Sequence, residues 1–290
     1  MATPLDAFLW ACTLDVAVPK PGNVSIASPG HRMVADQFIA SAAAAAASLC
    51  EPGAAVGRRI EGAVRASWAA AGCNTNLGIV LLCAPIALAR ERCAMPLAPT
   101  ALQDMLHRVT LGLTVDDARA AYRAIAHANP GGLGRAPAQD VAEEPRIDLR
   151  AAMALAADRD RIACQYAQGF DELFRLGLPA FQQGLDQGIP VAVLGTYLRW
   201  LASGPDSHIV RKHGAALAQT VTADAAVLRD EWLAHGSLAG SKALSSWDTQ
   251  LKTRGINPGT SADLTVATLF VAACLDPSLV SRSMDGALVA

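Results

Sequence analysis

Asn257, Thr260, Ser261 and Asp263 crowd one short stretch, INPGTSADL, at residues 256–264. The apolar run that follows it reads as the buried face of a helix, so small polar groups gather at a helix start. Four further stretches share this character: PKPGNVSIASPGHRM (19–33), CNTNLG (73–78), NPGGLGRAPAQDV (129–141) and GPDSHIVRKHG (204–214). Each lies at a helix end and is rich in Gly, Pro, Asn, Asp, Ser and Thr. Turn chemistry and capping account for any one such loop. Five in one helical chain point to a shared task.

A glycine loop feeding a helix N-terminus leaves backbone N–H groups unpaired, and the helix dipole adds positive potential, so phosphate fits there. Asp, Asn and Ser/Thr oxygens suit Mg²⁺, which keeps waters and bridges phosphates. Lys20, Arg135, Arg211 and Lys212 are cations that could neutralise the charge. These parts suit a nucleotide polyphosphate with a divalent ion. No Walker A loop, GxGxxG turn, HExxH helix or GxSxG elbow occurs. His208 and His213 are five residues apart, a poor spacing for a zinc pair on one helix face. Cys73 reads as a packed thiol. Asp158, Arg159, Asp160 and Arg161 read as lying in mid-helix. Two readings stay open there: a solvated face with local charge pairs, or Arg161 and Tyr166 turned into the site.

The chain has 290 residues, 52% of them hydrophobic and 17% charged, which supports a sizeable core. Aromatic residues are 5% and alanine fills the gap, which favours helix over strand. A formal net charge of −2 offers no basic excess for a nucleic-acid backbone. The start MATPLDAFLWACTLDVAV holds Asp6 and Asp15 and no basic leader, so no signal peptide is expected. SAAAAAASLC and LGIVLLCAPIALA are too short to span a bilayer, so no membrane association is expected. Seven cysteines without a CxxC pair suggest reduced thiols and a cytoplasmic protein.

Helices are expected at 5–17, 35–49, 54–71 and 77–92. Thr114 with Asp117 resembles a capping box for the next, which stops at NPGGLG. After a loop over 129–147, Asp148 is expected to cap one long helix through LRAAMALAADRDRIACQYAQGFDELFRLG. Further helices follow at 179–186, 190–203, 207–234, 240–254 and 260–274, with a loosely held tail from Asp276. The expectation is one all-α domain over 1–290, a bundle of roughly ten to twelve helices with functional loops at their ends.

Taken in order, VPKPGNVS, GHRM, NTNLG leading into VLLCAPIA, the double-glycine loop, PDSHIVRKHG and NPGTSADL resemble the triphosphoribosyl-dephospho-CoA synthase family. Within it the chain looks like the branch found beside tetrahydromethanopterin and formaldehyde-oxidation genes in methylotrophs. The resemblance implies an all-α, cytoplasmic, Mg²⁺-dependent transferase. Such an enzyme takes ATP and 3′-dephospho-CoA, displaces adenine from the ribose of ATP, and joins that sugar to the 2′-hydroxyl of the acceptor with its triphosphate kept. By position, Lys20, Asn23, Asn74, Asn76, Asp206, Arg211, Ser261 and Asp263 fall on the family's motifs. The expectation gives Asp206 and Asp263 metal and catalytic roles, and Lys20 and Arg211 to phosphate. His31, Lys212 and Asn257 join Asn23, Asn74, Asn76 and Ser261 in the nucleotide-binding set. A homodimer stays open.

This chain departs from the family at several points. KPGLVD becomes KPGNVS, with Ser25 in place of an acid, and GAHKDM becomes GHRM, with Asp36 the nearest acid. NTHKG becomes NTNLG, DTN becomes Asp206-Ser207-His208, and PGGSADL becomes PGTSADL. The altered charge keeps two other readings open: a transferase in C1-carrier cofactor assembly with a pterin or furan intermediate, or a non-catalytic nucleotide-binding helical protein.

Overall fold

Two helices that are apolar on every face organise the molecule. In the computed structural model, which describes residues 2–131, 139–235 and 241–284, the chain opens with α1 (Pro4–Ala17), α2 (Ala35–Leu49), α3 (Val56–Ala71) and α4 (Leu77–Glu91). Then follow α5 (Pro99–Leu111), α6 (Val115–Ala128), α7 (Leu149–Ala154) and α8 (Arg161–Ala167). A π-helical turn, Leu173–Gly177, leads into α9 (Leu178–Gly184) and α10 (Ile189–Leu201). The chain continues as α11 (Ser207–His213), α12 (Ala215–His235), α13 (Lys242–Thr253), α14 (Gly259–Leu275) and α15 (Ser278–Met284). Among the described residues the only β-pairing is an isolated bridge, Gly30 with Met33. The all-α class holds, with more helices than expected.

α4 is buried from Ile79 to Ala89, and α14 carries buried apolar side chains from Leu264 to Cys274. A helix hydrophobic all round must lie inside. α1 covers α14, with Phe8 edge-on to Phe270 at 6.0 Å. A smaller cluster around Trp232, Trp247, Leu251 and Ile256 joins α10, α12 and α13. Polar residues gather at the N-terminal end of α14, at Thr260, Ser261 and Asp263, and just before α4, at Asn74, Thr75 and Asn76.

Several boundaries differ from the sequence expectation. α5 is an addition: Pro99 starts it, and Leu102, Leu106 and Val109 give it a buried stripe. The single helix expected after Asp148 is three segments. Asp160 ends the first break by capping α8, accepting from the N–H of Ile162 at 2.9 Å and of Ala163 at 3.1 Å. The DRDR run is therefore not in mid-helix. The helix expected over 207–234 divides at Gly214, whose φ of 88° suits glycine. The tail is helical to Met284, with Leu279 packed in the core. Residues 285–290 lie outside the described residues.

Close helix contacts rest on missing side chains. Gly57 of α3 donates its N–H to Asp117 Oδ1 of α6 at 2.7 Å. A Cβ at Gly57 would lie 2.5 Å from Asp117 Cα, so backbone meets backbone. Gly57→Ala gains about 1 kcal/mol of helix propensity, yet overpacking should cost about 1–3 kcal/mol. Urea unfolding should show a lower midpoint at unchanged slope; a midpoint at or above wild type would show that the crossing relaxes freely.

Candidate functional site

The N-terminal ends of α4 and α14 open into one cavity of about 530 Å³. All five polar loops reach it. The first supplies Asn23 and His31, the second Asn74 and Thr75, and the third Asn129 to Gly131. The fourth supplies Ser207, His208, Arg211 and Lys212; the fifth supplies Asn257, Gly259 and Thr260, with Asp263 one turn further on. Arg135 lies outside the described residues.

The loops are tied to one another. Asn23 Nδ2 donates to Asn257 Oδ1 at 3.2 Å. Gly22, at φ 77°, sits so close to the fifth loop that a Cβ would be 2.8 Å from Pro258 Cδ. Tyr197 holds the first loop by donating its hydroxyl to Pro21 O at 2.6 Å. Arg211 Nε donates to Gly131 O at 3.0 Å, joining the third and fourth loops.

Asp206 does not line the cavity. Its Oδ1 accepts from the N–H of His208 (2.9 Å) and Ile209 (3.1 Å). Its Oδ2 accepts from Ser261 N (2.7 Å) and Ser261 Oγ (2.8 Å). The carboxylate thus caps α11 and pins it to the first turn of α14. Burial raises its pKa, and these hydrogen bonds oppose the rise. Ser261 is turned inward by the same contact.

Lys20 and Asn76 are also absent from the wall. Lys20 Nζ is buried 3.0 Å from Asp15 Oδ1 and donates to the Asp15 carbonyl. Asn76 is the residue before α4, with its Nδ2 buried and unpartnered. The structure therefore gathers Asn23, His31, Asn74, Arg211, Lys212, Asn257 and Asp263 at the cavity and sets Lys20, Asn76, Asp206 and Ser261 behind it. Arg161 and Tyr166 stand apart. Arg161 pairs with Glu172 at 3.2 Å and lies over the Trp200 ring, while the Tyr166 hydroxyl donates to Leu81 O at 2.6 Å.

Asp263 is half-buried on the cavity wall and has no hydrogen-bond or ion-pair partner among the described residues. Gly78 of α4 makes room for it: a Cβ there would lie 2.0 Å from Asp263 Oδ2. Burial, then the nearby Asp15 and Asp206 carboxylates, push the Asp263 pKa well above the usual carboxylate range, and Arg211 opposes this.

Sequence reasoning missed Asp15 as a site residue. It is 4% exposed, faces the cavity and leans on Lys20. A signal was present: one acid in the otherwise apolar run LWACTLDVAV, where an unsolvated carboxylate is costly.

Charge across the cavity is uneven. Asp15 and Asp263 form an acidic floor. Arg211 and Lys212 stand on the basic side, with Arg211 Nη1 at 3.8 Å from Asp160 Oδ2. Burial and then Arg211 lower the Lys212 pKa. Phe38, Tyr122, Met153 and Leu155 give the cavity an apolar wall. Among the described residues no group of three or more His, Cys, Asp or Glu could hold a metal alone. His213 Nε2 instead contacts Gly255 O at 3.2 Å, so it forms no zinc pair with His208. Mg²⁺ needs only one or two carboxylates when phosphates supply the rest. The unpaired Asp263 beside Asp15 fits that demand.

Fold and cavity together define an all-helical protein with a cleft lined by carboxylates and basic side chains. The CitG family profile, described as ATP:dephospho-CoA triphosphoribosyl transferase, matches residues 1–280, and the chain belongs to that family of transferases. A crystal structure from Archaeoglobus fulgidus, named for triphosphoribosyl-dephospho-CoA synthase, superposes with a TM-score of 0.64. The match covers 82% of this chain and 99% of that chain at 23% identity, and shows a shared fold. A search of curated protein sequences finds no match. No helix among the described residues is long and apolar enough to cross a membrane.

Asp263 should oppose folding at neutral pH. Its native pKa is raised, so the native state holds the proton more tightly than the unfolded chain. The cost of ionising it is absent below the ordinary carboxylate pKa of about 4 and grows as pH rises toward the native pKa. Asp263→Asn should raise Tm by about 2–4 °C at pH 8, with the gain vanishing near pH 4. Melting curves by circular dichroism test this; a variant less stable than wild type at pH 8 would reveal a native partner for the carboxylate.

Proposed function

We propose that the protein transfers the triphosphoribosyl group of ATP to an acceptor hydroxyl, with release of adenine and with dephospho-CoA as the acceptor. The observation that carries this reading is the unpaired Asp263 carboxylate sharing one cavity with Arg211 and Lys212. A polyphosphate is attracted by the two cations. His31, Asn23, Asn74 and Asn257 offer hydrogen bonds around it.

In the reaction the bond between C1′ and the adenine nitrogen breaks, and adenine leaves with the electron pair. The acceptor oxygen bonds to C1′ and gives up its proton, and adenine gains one. The sugar carries oxocarbenium character in between, which the acidic floor of Asp15 and Asp263 would stabilise. Asp263 is assigned to take the acceptor's proton. Mg²⁺, where bound through Asp263 and Asp15, would neutralise the triphosphate. Asp206 is assigned to positioning rather than to metal or base chemistry, because its oxygens are already committed to four donors. Lys20 is assigned to holding Asp15 rather than to phosphate. Seven free cysteines suit a reducing compartment, and a cytoplasmic location belongs to the same proposal.

Chromatographic detection of adenine from ATP, with and without dephospho-CoA, tests the reading. Wild type should release adenine in step with acceptor consumed; ATP binding with no acceptor turned over would overturn it. Asp263→Ala should lower turnover by about 10²–10⁴-fold, the range for a general base, while helical circular dichroism is retained. Gly78→Ala should lower it by about 10²-fold by displacing the Asp263 carboxylate. Gly78→Ala at full activity would remove Asp263 from the chemistry.

A further inference from the structure

His208 is fixed in place, and its ring is bonded to nothing among the described residues. Its backbone N–H donates to Asp206 Oδ1 at 2.9 Å and to Thr260 Oγ1 at 3.1 Å, which locks its position between the fourth and fifth loops. The imidazole lies on the cavity wall, half-buried. Neither ring nitrogen has a hydrogen-bond partner among the described residues, and Nε2 is fully buried. Gly259 leaves the ring its space, since a Cβ there would lie 2.8 Å from Nδ1. Buried polar groups in native proteins are normally paired, so a preorganised ring without a partner on a cavity wall calls for one from the ligand.

The charges around the ring decide which part of a ligand it meets. Lys212, Arg211 and His213 surround it from its own helix, and His31 faces it from the first loop. Thr260 and Gly259 of α14 are uncharged. Burial first, then these cations, lower the His208 pKa to about 3, so the ring is neutral at pH 7. A neutral imidazole adds little to the attraction for phosphate, which Arg211 and Lys212 already provide. It can exchange one hydrogen bond with an uncharged polar group.

We propose that His208 is a specificity residue that reads the uncharged nucleoside part of the donor, its base or its sugar hydroxyls, while the cations beside it hold the phosphates. This rests on the nucleotide-binding reading above.

Calorimetric titration of His208→Leu and His208→Asn with ATP, GTP, 2′-deoxy-ATP and inorganic triphosphate tests it. His208→Leu should weaken ATP by about 5–10-fold, the worth of one neutral hydrogen bond. Inorganic triphosphate should stay within about twofold of wild type, because its binding rests on Arg211 and Lys212. His208→Asn keeps a hydrogen-bonding side chain and should recover part of the loss. A lost preference for ATP over GTP would place the contact at the base; a lost preference over 2′-deoxy-ATP would place it at the sugar. Equal weakening of ATP and triphosphate, or no weakening of either, overturns the proposal while leaving nucleotide binding intact. Failure of wild type to bind ATP and triphosphate at all would instead remove the nucleotide reading itself.

Discussion

The four hydrogen bonds accepted by Asp206 hold the cavity together. One carboxylate caps α11 through His208 and Ile209 and grips the first turn of α14 through Ser261. Everything on that side of the cavity follows from this contact. His208, Arg211 and Lys212 ride on α11, and Gly259, Thr260 and Asp263 ride on α14. A buried anion is costly unless it is paired, and here backbone N–H groups that two helix starts would leave unsatisfied supply the pairing. One desolvated group settles two helix ends and the distance between them.

The acidic floor of the cavity shows the reverse. Asp263 has no such donors, and Asp15 has one ammonium behind it. Two carboxylates on a common floor raise each other's energy when both are ionised. A fold selected for stability alone would place neutral groups there. Strain of this kind suits a site that expects a cation or an electron-poor sugar, because the ligand supplies the missing compensation. The small residues nearby serve the same end. Gly78 admits the Asp263 carboxylate and Gly259 admits the His208 ring. In both places an added Cβ would meet a side chain of the site rather than solvent.

The departures from the family pattern divide between the cavity wall and the buried residues behind it, where Ser25 and Asn76 lie. Asn76, Leu77 and His208 occupy positions where the family motifs carry other side chains, and Leu77 and His208 both line the wall. Asp206, Ser261 and Asp263 match the family motifs, although two of them lie behind the wall. The Asp206–Ser261 tie lies behind the wall, while Asp263 lines it.

Much of this protein was legible in the amino-acid sequence. Alanine-rich 3.6-residue periodicity determined an all-α fold, because helices satisfy their own backbone and bury one stripe. Capping residues such as Thr114 with Asp117 marked helix starts, since those hydrogen bonds are local. The five Gly/Asn/Asp loops marked segments that meet at one cavity. Tertiary structure alone decided which polar side chains face the cavity. Asp206 and Asp263 are the same residue type beside similar turns, yet one is saturated by donors from another helix and the other is left open. Lys20 turned to Asp15 instead of to solvent, and Asp15 itself became part of the floor. The breaks at Asp160 and Gly214 are local by contrast: Asp160 caps the N–H groups of Ile162 and Ala163, and Gly214 adopts a φ of 88°. Ser261 reaches Asp206 across 55 residues and the Asp15 charge reaches Asp263 from the other end of the chain, and such partners leave no mark in local spacing.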